Sequence, residues 1–220
     1  MEINGQERRA KSNELIKNMG IACFEELPMI ETSTQVGLKS LDDICKRAIA
    51  CLISTQVACD IANNDYEESI NYFKPLLEVY GVSSGLNSLE KKLFDESYSN
   101  QDAINVGWEY EAYWALVWAL SLIDDIADAS NICDCKKAIE LVQSKQNFDD
   151  FKKQCNLRGV EEILDMLDLY YRYHWATTEK RINPETPIGN LNPGVVVERR
   201  RGLEWLISTE KDWYDLSLDT

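Results

Sequence analysis

Asp168, Arg172 and His174 are polar residues whose types and spacing could support chemistry. Asp168 and Arg172 are four residues apart, which places them on one face of a helix, and His174 follows on the next turn. His174 is the only histidine in the chain, and an imidazole suits proton transfer at neutral pH. One hypothesis is therefore a hydrolase or transferase site with His174 as general base or acid. Three later residues would complete it: Glu198, Arg199 and Asp219.

The same groups could instead form a buried ion-pair network. In that network, Arg172 and Arg199 would neutralise Asp168, Glu198 and Asp219, and so tie the end of the chain to the core. A structural network has the same sequence signature as a catalytic one. We favour the structural interpretation.

Asp124, Asp125 and Asp128 form a second acidic pattern, which resembles the aspartate-rich magnesium motif of isoprenoid synthases. In that motif, carboxylates on one helix face hold Mg²⁺ against a diphosphate. No second acidic motif accompanies it here, and the three residues follow an apolar run, where a solvated helix end is expected. We therefore treat them as weak metal candidates and predict no metal site.

The chain also contains seven cysteines. Cys133, Cys135 and Cys155 together with His174 are zinc-ligand types, but they lack the CxxC spacing of zinc ribbons and fingers. The number of cysteines is odd and their positions are scattered, so we interpret them as reduced thiols. Gly-rich phosphate loops, nucleophile elbows and H-E-x-x-H motifs are absent, so the sequence predicts no cofactor.

The charge of the chain constrains its partners. Thirty-eight acidic residues against 23 basic ones give a formal net charge of −15. Such a field repels nucleic acid and anionic membrane surfaces, whereas it attracts a basic protein. The run Arg199-Arg200-Arg201 does not indicate nucleic-acid binding, because consecutive helical residues point about 100° apart and cannot form one phosphate-reading stripe.

Apolar residues recur at helical spacing along most of the chain. Ser40 followed by Asp43 resembles a capping box, and Asn192-Pro193 is an N-cap followed by proline at the first helical position. Pro75 is expected to break or kink its helix. The spacing predicts helices over Glu7–Met19, Ser40–Ala62, Tyr66–Val79, Leu86–Glu96, Asp134–Ser144, Val160–Arg181 and Asn192–Leu206, with Gly20 just after the first.

A further helix around Ala112–Leu120 is apolar on every side, which is typical of a helix surrounded by others. Glu109 and Glu111 before it, and its short length, exclude a membrane span. Most of the six tryptophans are expected to be core anchors. Near the end of the chain, Trp213 should pack on this core, and Asp219 should pair with Arg172 or Arg199.

These elements predict one all-α domain over residues 1–220, with about seven to nine helices around the central Trp-rich helix. The loops leave room for a few short strands. The first residues lack the apolar stretch of a signal peptide, and no segment reaches the length of a membrane span, so we expect a cytoplasmic protein. The sequence leaves its oligomeric state open.

Read together, several segments resemble the domain of unknown function family DUF4272. The most specific ones are Asp168…Arg172-x-His174-Trp175-Ala176, Glu198-Arg199 with Leu203-x-Trp205-Leu206, and Trp213-Tyr214-Asp215 with Asp219-Thr220. Glu204 stands where the family usually has Asn, and Tyr214 where it usually has Asp. The resemblance implies a residue list without a known reaction.

Two functional hypotheses follow. The first is an acidic protein-binding module that neutralises a basic protein partner, as immunity proteins neutralise toxins. The second is the hydrolase or transferase built on His174 with Asp168, Glu198 and the two arginines. We favour the first, because the chain carries high negative charge and no established catalytic motif.

Overall fold

The computed structural model describes residues 4–220. In that part of the chain, nine α-helices and two short 3₁₀ segments account for 63% of the residues, and there is no strand. The all-α prediction is confirmed, and the short strands allowed for the loops do not form there. The helices are α1 (Gly5–Asn18), α2 (Leu41–Ala62), α3 (Tyr66–Val79), α4 (Ser88–Phe94), α5 (Asn100–Ala119), α6 (Cys135–Gln143), α7 (Phe148–Lys153), α8 (Val160–Ile182) and α9 (Pro193–Ile207).

Helix α5 is the centre of the fold. Every residue from Glu109 to Leu120 is buried, as expected for a helix without a polar face. Helix α2 packs on one side of α5 and α9 on another, while α8 lies against α9, α1 against α8, and α3 against α2. One continuous hydrophobic core runs through these contacts.

The packing of α9 on α5 depends on a glycine. A Cβ atom at Gly202 would lie 2.7 Å from the backbone oxygen of Ala112 and 3.1 Å from the Cβ of Ala115. Because real Cβ atoms do not approach a carbonyl oxygen so closely, only glycine permits this distance between the helices. The close approach brings the polar residues of α9 up to α5.

The helix ends follow the capping signals in the sequence. The Ser40 hydroxyl accepts the backbone N–H of Asp43 at 3.1 Å, and Asn192 Oδ1 accepts that of Gly194 at 3.0 Å. Gly20, just after α1, has a positive φ of 70°, the conformation that glycine adopts at low cost. These three boundary predictions are confirmed.

Pro75 does not break its helix, so the break that was one of its two predicted effects is wrong. Helix α3 continues through it to Val79. Proline removes the N–H that would bond the carbonyl of Asn71, but both residues are exposed, so water can satisfy that oxygen. None of the helices in the described residues combines the length and apolar character needed to cross a bilayer.

Candidate functional site

The sequence-predicted site residues lie on α8, on α9 and in the segment 208–220, which we call the terminal segment. The structure does not gather them into one cluster. Four of them enter three separate ion pairs, each with a different arginine, whereas His174 and Asp219 belong to none of the three. The residues involved are Asp168, Arg172, Glu198, Arg199, Arg201 and Glu111.

Asp168 and Arg172 pair within α8. Arg172 donates from Nε to Asp168 Oδ2 at 2.9 Å and from Nη2 to Oδ1 at 2.7 Å. Both side chains are 1% exposed, so this bidentate pair is shielded from water and reaches neither Glu198 nor Asp219 as a hydrogen-bond partner. Its geometry is that of a structural pair within one helix.

Arg199 connects α9 to α5 and to the loop after α5. It donates from Nε to Glu111 Oε2 at 2.9 Å and from Nη1 to the carbonyl of Asp128 at 2.7 Å. Nη1 also reaches Tyr170 Oη, and Nη2 reaches the carbonyl of Asn131, both at 3.2 Å. The motifs predicted that Arg199 would help to neutralise Asp168, Glu198 and Asp219. Its ion-pair partner is instead Glu111 of the central helix.

Glu111 itself has two partners. Its Oε1 accepts the backbone N–H of Cys133 at 2.7 Å, opposite the oxygen that Arg199 holds. The carboxylate therefore joins α5, α9 and the loop in a single buried junction. In the sequence, Glu111 was only an argument against a membrane span. A charged residue just before an apolar run was nevertheless a signal of a buried ion pair.

His174 is held by Arg200, a residue that sequence reasoning did not select. Arg200 Nη1 lies 2.7 Å from His174 Nδ1. Burial, followed by the positive charges of Arg200, Arg201 and Arg181, lowers the pKa of His174 to about 4. At neutral pH the imidazole is therefore uncharged and a weak base, which does not suit a general base.

Arg200 and Arg201 also fix the terminal segment. Arg200 donates to the carbonyls of Leu218 at 3.0 Å and Asp219 at 3.1 Å. Arg201 donates to Glu198 at 3.0 Å and to the carbonyl of Trp213 at 3.3 Å. Burial raises the pKa of Glu198, against the lowering effect of Arg201.

The predicted pairing of Asp219 with Arg172 or Arg199 is wrong. The Asp219 carboxylate accepts from the Ser217 hydroxyl at 2.6 Å, while its backbone carbonyl serves Arg200. An arginine can hold a chain end through carbonyl oxygens as well as through carboxylates, and the sequence does not distinguish these. The burial of Trp213, at 1% exposure, is confirmed.

The three aspartates of the magnesium-like pattern do not share a helix face. α5 ends at Ala119, and Asp124, Asp125 and Asp128 lie exposed in the loop that follows. Asp125 and Asp128 accept the backbone N–H groups of Ala127 at 3.0 Å and Ser130 at 2.9 Å. Their carboxylates thus stabilise turns, and the helix-face geometry that the metal interpretation requires is not formed.

The four zinc-type residues are not brought together either. Within residues 4–220, the one group of at least three potential ligands with close ligand atoms is Cys51, Glu90 and Glu109, whose ligand atoms lie within 4.8 Å of one another. Sequence reasoning missed this group, because its members come from three helices and form no local motif.

The cluster around Glu109 is fully buried and already contains a cation. Arg47 donates to Glu90, and its guanidinium lies 4.4 Å from the centre of the Trp213 ring. Glu109 Oε1 accepts from Asn87 at 3.0 Å and from the Tyr214 hydroxyl at 2.8 Å. Burial and then the charge of Glu90 raise the pKa of Glu109 well above its usual value, so this carboxyl group holds its proton more tightly than an exposed one.

An apolar groove of 660 Å³ lies between the end of α2, the first half of α5 and the segment 132–135, and we call it the α2–α5 groove. Trp108 forms part of its wall and packs on Gly194, where a Cβ would lie 2.8 Å from the ring. Glu111 reaches the groove, but its two oxygens are engaged by Arg199 and Cys133. The groove is not lined by the residues of the predicted catalytic cluster, namely Asp168, Arg172, His174, Glu198, Arg199 and Asp219.

Comparison with known families gives one match. The family model described as Domain of unknown function (DUF4272) matches residues 8–216, which confirms the resemblance carried by the motifs. No curated protein matches the chain, and no solved structure does.

Proposed function

Since the chain belongs to the DUF4272 family, whose description names no reaction, we propose its function from charge and geometry: an acidic binding module that neutralises a basic protein partner. Immunity proteins act in this way toward cationic toxins, and we place this chain in that functional class. The proposal needs a negative surface and does not need a reactive group.

The observation that carries the proposal is where the charge lies. Within residues 4–220, the buried charged residues are five arginines and four acidic residues, namely Arg8, Arg47, Arg172, Arg199 and Arg200 with Glu90, Glu109, Glu111 and Asp168. They do not account for the negative excess of the chain, whose net charge is −15. The excess therefore lies outside the core, where it can steer a cationic protein at long range.

The geometry supports binding over hydrolase or transferase chemistry. A general base must be free to accept a proton near neutral pH, and His174 has a pKa of about 4. Asp168 and Glu198 each accept from an arginine at 3.0 Å or less. These groups also lie outside the α2–α5 groove, so that concave site and the candidate bases do not coincide.

All seven cysteines are free thiols, which supports a reducing compartment, so we propose that the protein acts in the cytoplasm. Burial raises the pKa of Cys51 and also that of Cys133. Raised pKa values keep these thiols protonated and unreactive, as befits structural cysteines.

The proposal is tested by affinity capture from the native cell lysate with the full chain as bait. We expect one basic protein at a stoichiometric amount in low salt, released at about 1 M salt, where the Debye length falls to about 3 Å. A second bait carries Glu14→Gln, Glu67→Gln and Glu68→Gln, which neutralise three exposed acids. Compared with the wild-type bait, it should retain less of the basic protein. Recovery of no stoichiometric partner, or of one that salt does not release, would overturn the proposal.

A further inference from the structure

The α2–α5 groove exposes three large apolar side chains to solvent. Ile104, Trp108 and Ile132 line it and are 55%, 39% and 59% exposed. Single exposed apolar residues are ordinary, but several in one concave site mark an interaction surface. The volume of 660 Å³ falls within the range of about 300–1,000 Å³ typical of binding sites.

The floor of the groove is open at a glycine. Gly107 lines the groove, and a Cβ atom built on it meets no heavy atom within 4 Å. Its φ is not positive, so the helix does not require glycine here for backbone reasons. The absent side chain leaves space into which an apolar side chain from another molecule could fit.

The charge around the groove is mainly negative. No lysine or arginine lines it. Asp60, Asp65 and Asp134 are each adjacent in sequence to a lining residue and take part in no ion pair found in residues 4–220. The one flanking cation by the same criterion, Lys136 beside Cys135, pairs with Glu140 at 3.9 Å. An apolar channel flanked by unpaired carboxylates is complementary to a ligand that is apolar on one side and positively charged on the other.

We propose that the α2–α5 groove receives an amphipathic helix of the basic partner. Apolar side chains of that helix enter the space above Gly107, between Ile104 and Ile132, and its flanking lysines or arginines face the carboxylates. Helix-in-groove recognition works in this way, with anchor residues at i, i+3 or i+4 and i+7. The inference rests on the proposed function and adds to it the surface and the chemical form of the partner.

The test uses the full chain and two synthetic 14-residue helical peptides with the same leucine face. One has lysine on its polar face and the other has glutamate, and binding is followed by fluorescence anisotropy of a peptide label. We expect the lysine peptide to bind at least about tenfold more tightly than the glutamate peptide. Equal binding of the two would overturn the inference in favour of a site for uncharged apolar ligands.

Two matched pairs of variants locate the binding. Gly107→Leu fills the groove, whereas Gly37→Leu adds the same side chain at an exposed position where a Cβ also meets nothing within 4 Å. We expect Gly107→Leu to weaken lysine-peptide binding at least about tenfold and Gly37→Leu to change it less than about twofold. Asp60→Asn with Asp65→Asn should weaken it more than the equal charge change Glu14→Gln with Glu26→Gln.

The results distinguish a failure of the groove inference from a failure of the proposed binding function. If the basic protein captured from lysate is retained equally by wild type and Gly107→Leu, the groove inference is overturned and the binding function stands. If wild type captures no basic protein, the proposed function fails. Retention of a normal circular dichroism spectrum and melting temperature by Gly107→Leu shows that any loss of binding comes from the filled groove.

Discussion

Arg200 Nη1 lies 2.7 Å from Nδ1 of His174, so the imidazole accepts a hydrogen bond at Nδ1 and carries its proton on Nε2. An arginine has only donors, which leaves this tautomer as the one compatible with the contact. The arginine thereby turns the lone histidine into a fixed acceptor between α8 and α9. The same guanidinium reaches the carbonyls of Leu218 and Asp219.

The first prediction concerns the titration of His174. Because it is the only histidine, its imidazole protons give one resolved set of NMR signals. We expect a titration midpoint of about 4, since burial and then the charge of Arg200 lower the pKa of His174 to that value. In the variant Arg200→Met the midpoint should move up toward the ordinary value of about 6.5. A wild-type midpoint near 6.5 would show that the imidazole is solvated and free of Arg200.

The same contact makes stability depend on pH. The pKa of His174 is lower in the fold than in the unfolded chain, so the unfolded state binds the proton first as the pH falls. Its contribution to stability is present above about 6.5 and is lost as the pH falls toward about 4. Urea denaturation should show a smaller loss over that interval for His174→Gln, which keeps an acceptor for Arg200 but does not titrate.

The second prediction concerns the terminal segment. Deleting residues 211–220 removes the buried Trp213 and the carbonyls that Arg200 holds, and should lower the free energy of unfolding by about 3–5 kcal/mol. The matched substitution Asp219→Asn should change it by less than about 0.5 kcal/mol, because that carboxylate bonds only the Ser217 hydroxyl. A truncated chain with an unchanged melting temperature would show that the segment does not stabilise the core.

Most of the helices could be predicted because their apolar periodicity is long enough to read. Helix α2 spans 22 residues and α8 spans 23, and both were predicted to within one residue at each end. Helix α7 was missed: it has six residues, less than two turns, so Phe148 and Phe151 alone could not establish a period. Short helices are stabilised by the surface they pack on, which the sequence does not display.

The site was less predictable, because pairing between distant segments depends on helix rotation. Asp168 and Arg172 were placed together correctly, since their separation is set by one helix. The partner of Arg199 is 88 residues away, on a helix whose apolar run gave no information about how Glu111 is turned. Arg200 was passed over because a run of three arginines points in three directions, and only packing decides which of them are buried.

The third prediction concerns the pair Arg199 and Glu111, whose side chains are 3% and 2% exposed. Replacing either residue alone leaves a buried charge without its partner, so Arg199→Met and Glu111→Gln should each lower the free energy of unfolding, by about 3–5 kcal/mol for the arginine. The double variant should lose less than the sum of the two single losses. Additive losses in this double-mutant cycle, measured by urea denaturation, would contradict the direct pairing.

The fourth prediction compares two helical glycines. Gly107→Ala adds a methyl group where nothing lies within 4 Å and should raise the free energy of unfolding by about 0.5–1 kcal/mol, because alanine restricts the unfolded chain and favours the helix. Gly202→Ala places its Cβ 2.7 Å from Ala112 O and should lower it by about 1–3 kcal/mol, since α9 must move away from α5. Effects of the same sign in the two variants would contradict the packing described for α5 and α9.

The last prediction concerns Glu109, which is 0% exposed and whose pKa is raised by burial and then by the charge of Glu90. A carboxyl group with a raised pKa in the fold keeps its proton at a pH where the unfolded chain has released it. Its contribution to stability is therefore complete below the unfolded value of 4.5 and is lost as the pH rises through the folded value. The contribution of Glu109 to the free energy of unfolding should therefore decrease progressively as the pH rises.

Glu109→Gln removes that dependence while keeping an acceptor for Asn87 and for the Tyr214 hydroxyl. We expect the variant to match wild type at about pH 4.5 and to be more stable than wild type above it, with a difference that grows as the pH rises. Glu109→Ala is the control, because it also lacks the titration but leaves both donors without an acceptor and should be less stable than Glu109→Gln at every pH. Parallel stability curves for wild type and Glu109→Gln between about pH 5 and 8 would mean that Glu109 is ionised in the fold, in which case Arg47 would have to neutralise both Glu90 and Glu109.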